Sequence, residues 1–289
     1  MLLTSRRQFK IELPGCTLEL GRRTLIMGEL NVTPDSFSDG GRYAGTEPAI
    51  ARAREIAAEG ADILDLGGES TRPGAGPVSE DEELNRVLPV LRGLRGGYPI
   101  PISIDTSKPA VARAALELGA VLVNDVTGLR DGAQLAREAA RAGAGMILMH
   151  MRGTPGDMQA LPPSRDILLE IEVWAAGAAA RAESCGIPSG RIILDPGIGF
   201  GKTVRQNLEI IRRLDRLAAA SFPLLLGTSR KSFIGAVLNI PAQDRIWGTA
   251  ATVAASIIHG AHIVRVHDVK AMREVARMTD AIIDDSTVE

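Results

Sequence analysis

One unit recurs along this chain from about residue 24 to its end: a short apolar run closing on a polar residue, a loop, and an amphipathic segment of helical period. Eight such runs are legible: LIMGELN (25–31), ILDLG (63–67), ISID (102–105), LVND (122–125), GMILMH (145–150), IILD (192–195), LLLG (224–227) and IVRVH (263–267). Runs this short and continuous suit parallel strands covered on both faces. The segments between them carry helix punctuation. Ser79 with Glu82, and Thr203 with Gln206, have capping-box spacing ahead of apolar positions. Pro109 stands where a first helical turn tolerates it, and Gly60, Gly119, Gly143 and Gly186 stand where four helices should end.

Eight β-α units with no linker, low-complexity tract or charge block predict an α/β fold: a single (β/α)8 TIM barrel over residues 24–289, within one domain spanning 1–289. The competing arrangement is an open, doubly wound sheet; eight successive units without a long insertion favour closure. Residues 1–23 fall outside the rhythm. Their FKIELPG and CTLELG segments read as an N-terminal β-hairpin placed to cover the bottom of the barrel.

Composition narrows the function classes. Aromatic residues make up only 3% of the chain while Ala and Gly abound, which suits short helices packed closely on a sheet. A net charge of −2 gives no electrostatic footprint for nucleic acid or an anionic membrane, so any anion site must be a local cluster of cations. Cys16 and Cys185 form neither a CxxC pair nor a disulfide framework, which points to a reducing, cytoplasmic setting. The opening residues make a poor signal peptide, and no stretch approaches the ~18 consecutive apolar residues of a membrane span.

Barrels of this kind place their chemistry at the C-terminal ends of the strands. Here those ends carry Asn31, Asp65, Asp105, Asn124 with Asp125, His150, Asp195, the Ser229-Arg230-Lys231 run, and Arg265 with His267. Any one of these could merely cap a helix or hold a loop; a whole ring of them marks a site. Asp105, Asn124 and Asp195 supply acceptors and one amide donor, a set suited to a flat heterocycle with adjacent N–H donors. Met149, Phe200 and Phe233 flank these tips, and Phe37 lies in the first loop, so they could cover a planar ligand or simply plug the mouth. Arg72, Lys231, Arg265 and His267 form a cationic set that implies an anionic ligand, with the alternative of solvated ion pairs. The loop from Asn31 to Gly41 (NVTPDSFSDGG) is rich in hard oxygens. Asn31 and Asp39 can serve Mg²⁺, which takes few protein ligands, and Gly40-Gly41 would let the loop move; an ordinary turn is the alternative. The segment from Gly197 to Thr203 resembles a phosphate-binding P-loop but has Pro196 where that pattern needs glycine. His259 and His262 read as barrel packing or a helix-strand turn. From the residues alone, the site should hold a planar polar ring, a phosphate-type group and Mg²⁺, which fits a transferase with a pyrophosphate leaving group.

The same residues resemble the dihydropteroate synthases. The resemblance is carried by NVTPDSFSDGG (31–41), GESTRPG (68–74), IDTSK (104–108), Asn124-Asp125, LMHM (148–151), LDPGIGFGK (194–202), SRKS (229–232) and RVHD (265–268), in family order over about residues 24–284. Glu29 departs from the family pattern, which has an apolar residue two before the Asn. The resemblance implies condensation of 6-hydroxymethyl-7,8-dihydropterin pyrophosphate with p-aminobenzoate to give 7,8-dihydropteroate and pyrophosphate. It implies that Asp105, Asn124, Asp195 and Lys231 hold the pterin, with Met149 and Phe200 packing on it and Gly227 among the substrate contacts. Asn31 would bind Mg²⁺, with Asp39 as a second candidate, and Asn31, Arg72, Arg265 and His267 the pyrophosphate. Thr71, Pro73, Phe200 and Ser232 would line the p-aminobenzoate site, where sulfonamides would compete. Asp105, Asp195, Lys231, Arg265 and His267 carry the catalytic expectation, and a homodimer is the implied assembly. Two rivals remain: a pterin-binding methyltransferase, which would not need Thr71-Arg72-Pro73 or the Arg265/His267 pair, and a catalytically silent pterin-binding barrel. Pyrophosphate release separates them.

Overall fold

The structure is a computed structural model that describes residues 6–33, 45–70, 76–130, 132–158, 160–218 and 221–284. Strands β1 (Phe9–Leu13) and β2 (Cys16–Leu20) form an antiparallel hairpin. Eight parallel strands follow: β3 (Leu25–Asn31), β4 (Ile63–Gly67), β5 (Ile102–Asp105), β6 (Leu122–Asp125), β7 (Gly145–Met149), β8 (Ile192–Asp195), β9 (Leu225–Leu226) and β10 (Ile263–Val266). Helices α1 (Thr46–Ala58), α2 (Glu80–Leu94), α3 (Pro109–Glu117), α4 (Gln134–Arg141) and α5 (Ile167–Ser184) alternate with the first five of these. The unit after β8 carries α6 (Val204–Arg212) and α7 (Leu214–Ala218), and that after β9 carries α8 (Ser232–Leu238) and α9 (Ile246–Ile258). Helix α10 (Val269–Ile283) follows the last strand.

The sheet closes. β3 pairs with both β4 and β10, and the seam between β8 and β9 is bridged in parallel by Leu194 and Leu224. An open doubly wound sheet would leave two free edges, so the barrel expectation holds. Five of the eight strands begin and end where the apolar runs do; β7 stops at Met149, β9 is only two residues long, and β10 stops at Val266. The cut falls where backbone turns away to deliver a side chain: His150 and His267 lie just past their ladders.

Helix punctuation is mostly as expected. Thr203 and Gln206 make a full reciprocal capping box. Ser79 accepts from the Glu82 amide at 3.2 Å, but the Glu82 carboxylate pairs with Arg86 one turn on, so the second half of that box does not form. The four helix-ending glycines all have positive φ.

Two apolar cores result. The larger lies between strands and helices, and includes Ile26, Leu64, Ile104, Val123 and Leu148 facing Ile56, Val87, Val111, Leu135 and Ile171. The smaller fills the bottom of the barrel, where Met27, Ile63, Leu122, Ile147, Ile193, Leu225 and Ile263 meet Ile11, Leu13, Leu18 and Leu20 of the hairpin. Side chains buried this fully contribute roughly 1.5–3 kcal/mol each. The plug is pinned by polar contacts as well. His262 Nδ1 accepts from the Leu224 amide at 3.1 Å, its Nε2 lies 3.0 Å from the Arg7 carbonyl, and Phe9 packs edge-on against the ring. Burial holds this imidazole neutral, with a pKa lowered to about 4. His262 therefore serves packing, as the sequence suggested. Among the described residues, no helix is long and apolar enough to cross a membrane.

Candidate functional site

Strand alternation builds the site directly above the plug. Side chains two apart point to the same face, so the inward series that begins with Met27 continues through Glu29 to Asn31. Ile63 leads likewise to Asp65, Leu122 to Asn124, Ile147 to Met149, Ile193 to Asp195, and Ile263 to Arg265 and His267. The lower layer is mainly aliphatic and the upper layer mainly polar because most of the strands change character along one face.

Arg265 organises the upper layer. Its Nε donates to Asp65 Oδ2 at 2.6 Å, Nη2 to Asp105 Oδ2 at 3.0 Å, and Nη1 lies 2.6 Å from Glu29 Oε2. Three of the five N–H groups of a guanidinium are thus committed to carboxylates, leaving about two for a ligand. Asn124 Nδ2 shares Asp65 Oδ2 at 3.0 Å, while Asp65 Oδ1 is buried without a hydrogen-bond partner among the described residues. Asn31 Nδ2 donates to Glu29 Oε1 at 2.6 Å. The His267 ring sits between Ser229 Oγ, 3.0 Å from Nδ1, and Glu29 Oε1, 3.4 Å from Nε2.

Burial and charge pull these groups in opposite directions. Burial raises the Glu29 pKa, but the charges of Arg265, His267 and Lys231 and the Asn31 bond overcome it and hold the carboxyl at about 2. Asp105 goes the other way: burial, with the neighbouring Asp65 charge, pushes it well above the usual carboxylate range despite Arg265. Burial raises Asp195 to about 6, against the Gly197 amide bond and the nearby lysines. Burial alone would lower Arg265, yet Glu29, Asp65 and Asp105 together drive it upward and keep it a permanent cation. Lys231 is lowered by burial to about 8 although Glu29, Asp195 and Asp105 favour its charge. Opposed shifts of this kind gather at functional sites.

The loop after β8 sets the aromatic wall. Gly197 has φ +68°, and a Cβ there would fall 2.0 Å from the His150 carbonyl oxygen, so only glycine fits. Its amide donates to Asp195 Oδ1 at 2.7 Å, fixing that carboxylate. Lys202 folds back underneath and donates from Nζ to the carbonyls of His150, Gly197 and Phe200. The lysine that gives this segment its P-loop look is thus a buried strut. Phe200, presented by the loop, packs with Met149 and Met158, and Lys231 Nζ stands 4.1 Å from its ring centroid.

Of the expected site residues, the structure brings together Asn31, Asp105, Asn124, Met149, Asp195, Phe200, Lys231, Arg265 and His267. Gly227 lies beside Arg265, whose Cβ is 3.8 Å from where a Cβ at 227 would stand. Ser232 is exposed at the first turn of α8. Asp39, Thr71, Arg72 and Pro73 lie outside the described residues, as do Phe37 and Gly40-Gly41. Phe233 is a correction: it belongs to α8 and is buried in the outer core, because residues two apart at the start of a helix cannot share the face that Lys231 turns to the site. Asp125 accepts from the Thr127 and Leu129 amides and builds the turn after β6. Glu29 is a site member to which the sequence reading gave no role, while Asp65 and Ser229 stood in the ring of strand ends without an assigned contact. Asp65 and Glu29 had a readable signal, since a carboxylate in the middle of a two-sided apolar run must face the barrel interior.

Among the described residues, no group of three or more His, Cys, Asp or Glu side chains is placed to hold a metal. Mg²⁺ asks for less, one or two protein oxygens with water and phosphate completing the shell. Asn31 meets that minimum, because its amide nitrogen is bound to Glu29 and its Oδ1 lies over the Cβ-less face of Gly67, 3.3 Å from where a Cβ would stand.

A closed eight-stranded α/β barrel, stopped below by a hairpin and lined above by acceptors, two half-buried cations and an aromatic wall, defines a single-ended binding barrel for a planar, polar, anion-bearing small molecule. Comparison with known proteins narrows this class. A family model described as pterin binding enzyme matches residues 27–267. The dihydropteroate synthase of Synechocystis sp. is 48% identical over 270 residues, covering 93% of this chain and 93% of the relative. The structure of dihydropteroate synthase from Clostridium difficile in the presence of pteroic acid superposes with a TM-score of 0.87 at 48% identity, covering 92% of this chain and 98% of that one. The Yersinia pestis dihydropteroate synthase with a sulfonamide drug complex gives 0.88 at 40% identity, covering 95% and 99%. The chain belongs to the pterin-binding enzymes and, within them, to the dihydropteroate synthases.

Proposed function

We propose that this chain, acting as one domain over residues 1–289, joins 6-hydroxymethyl-7,8-dihydropterin pyrophosphate to p-aminobenzoate and releases pyrophosphate. It is a transferase that uses small-molecule substrates. The observation that carries the reading is the acceptor floor: Asp65 with an unpartnered oxygen, Asp105, Asn124 and Asp195 around one fixed guanidinium. Adjacent N–H donors on an amino-pyrimidinone edge match such acceptors. Met149, Phe200 and the Lys231 ammonium would pack on the ring and orient it.

In the reaction, the bond between the pterin methylene and the pyrophosphate oxygen breaks, and its electron pair leaves with pyrophosphate. Arg265, through the N–H groups not committed to carboxylates, and the neighbouring His267 ring stabilise that growing charge. Ionised Asp195 stabilises the cation-like pterin methylene left behind. The aniline nitrogen of p-aminobenzoate then bonds to the methylene and gives up a proton to solvent or the departing pyrophosphate. Mg²⁺, bound through Asn31 with Asp39 as a further candidate, would supply Lewis acidity to the leaving group. Thr71, Arg72, Pro73 and Ser232 are assigned to the outer p-aminobenzoate and phosphate contacts, where sulfonamides would compete.

We further propose a homodimer, supported by exposed apolar side chains on α9 and on α8 and α10, each of which packs against α9: Val237, Leu238, Trp247, Met278 and Ile282. Free thiols at Cys16 and Cys185 support a reducing, cytoplasmic setting. The test mixes purified protein with the pterin pyrophosphate and Mg²⁺, with and without p-aminobenzoate. Dihydropteroate formed with stoichiometric pyrophosphate is the expected result. Tight pterin binding without pyrophosphate release would instead favour a silent barrel or a methyltransferase.

A further inference from the structure

Glu29 sits on β3 two residues before Asn31, on the same inward face, with a side chain 11% exposed. Both of its oxygens are engaged by residues that the proposed reading gives to the pyrophosphate end. Oε1 takes the Asn31 amide at 2.6 Å and faces His267 Nε2 at 3.4 Å; Oε2 lies 2.6 Å from Arg265 Nη1. An ionised carboxylate can only accept hydrogen bonds. Asn31 must therefore turn its NH₂ toward Glu29 and its Oδ1 away, and that oxygen is found against Gly67. In this orientation Asn31 offers a ligand an acceptor, which suits a cation and repels a phosphate oxygen. Glu29 also occupies one Arg265 N–H and places a negative charge beside both cationic groups. An apolar side chain at 29 would leave the amide free to flip and Arg265 with one counter-charge fewer.

We propose that Glu29 is a positioning residue that makes pyrophosphate capture by this chain conditional on a divalent cation, by fixing Asn31 as a cation-facing oxygen and offsetting the charge of Arg265 and His267. The inference rests on the reading of the site as a pyrophosphate site. It is tested by calorimetric titration of inorganic pyrophosphate into the full chain, in wild type, Glu29→Gln and Glu29→Ile, with chelator and at one fixed free Mg²⁺ concentration. Glu29→Gln keeps the shape and guards against a folding defect in Glu29→Ile. The wild type should bind pyrophosphate much more tightly with Mg²⁺ than without. In both variants metal-free binding should strengthen by about tenfold, the order set by one unit charge a few ångströms from the ligand in a partly screened site. The gain from Mg²⁺ should shrink correspondingly. An equal Mg²⁺ gain in all three proteins, or weakening with and without metal alike, overturns the role of Glu29 while leaving the anion site standing. Absence of pyrophosphate binding under every condition overturns both.

Discussion

Replacing Lys202 with Met isolates the strut beneath the β8 loop. Lys202 Nζ donates to three buried carbonyls, of His150 at 3.1 Å, Gly197 at 2.8 Å and Phe200 at 3.1 Å. Methionine fills a similar volume and donates nothing. The Gly197 carbonyl keeps the Phe200 amide at 3.2 Å, so the carbonyls of His150 and Phe200 are the ones exposed to the loss, at roughly 1–3 kcal/mol each. Against that stands relief of the desolvation that depresses the lysine to a pKa of about 7. The net loss should be about 3 kcal/mol, which for a chain of this size lowers Tm by about 6 °C. The effect has a signed pH dependence. Between the folded pKa near 7 and the ordinary lysine value, the unfolded chain holds a proton that the folded chain has released. Wild-type stability contributed by this group therefore rises with pH across that window, by up to about 1.4 kcal/mol per unit. The Met variant lacks this slope, so the gap between the two should widen from pH 7 to pH 9. Scanning calorimetry at both values reads it. An unchanged Tm at pH 7, or a gap that narrows toward pH 9, would refute the strut. Pteroate affinity should fall about tenfold in the same variant, because the loop that presents Phe200 loses its floor.

Other predictions concern separate parts of the molecule. Asp195 offers its negative charge and two acceptor oxygens only when ionised, and Lys231 carries charge only when protonated, so kcat/KM should fall below about pH 6 and above about pH 8. A profile flat across both limbs would remove these two groups from the rate law, the apparent values belonging to the coupled set. Lys231→Ala should mainly weaken pterin binding, seen by titration with pteroate. Arg265→Ala should mainly lower kcat and pyrophosphate affinity, by about 10²–10³ if it acts as a preorganised charge; identical kinetics to wild type in either folded variant would defeat the assignment. Ile11→Ala in the bottom plug should cost about 2–5 kcal/mol in denaturant unfolding while leaving KM unchanged, since it lies a full side-chain layer below the site.

Much of this molecule was legible before its coordinates because each strand carries two messages. The outward positions of ILDLG, Leu64 and Leu66, are apolar and announce a strand under helices. The inward positions, Ile63, Asp65 and Gly67, run from aliphatic to charged to vacant and mark the direction toward the site. Asp105, Asn124, Asp195 and Lys231 could thus be placed by position alone. What could not be read was pairing across the barrel. That Arg265 would be shared by Glu29, Asp65 and Asp105 depends on strands 200 or more residues apart in two of the three cases, the Asp65 bond spanning 200. Pro196 already set the Gly-rich loop and Lys202 apart from a phosphate cradle; that the lysine serves the backbone instead is revealed only by the direction of its Nζ. Phe233 failed because a helix start turns successive side chains through about 100°, so proximity to Lys231 in sequence did not mean a shared face.

The hairpin beneath the barrel has a consequence for traffic. With Ile11, Leu13, Leu18 and Leu20 corking one end, the barrel is a well with one opening. In the proposed reaction, a pterin that seats against Asp65 and Asn124 at its depth has to enter before p-aminobenzoate comes to rest at Ser232 on the rim. The order of arrival is thus written into the architecture by residues that touch no substrate, and the joined product leaves by the same mouth.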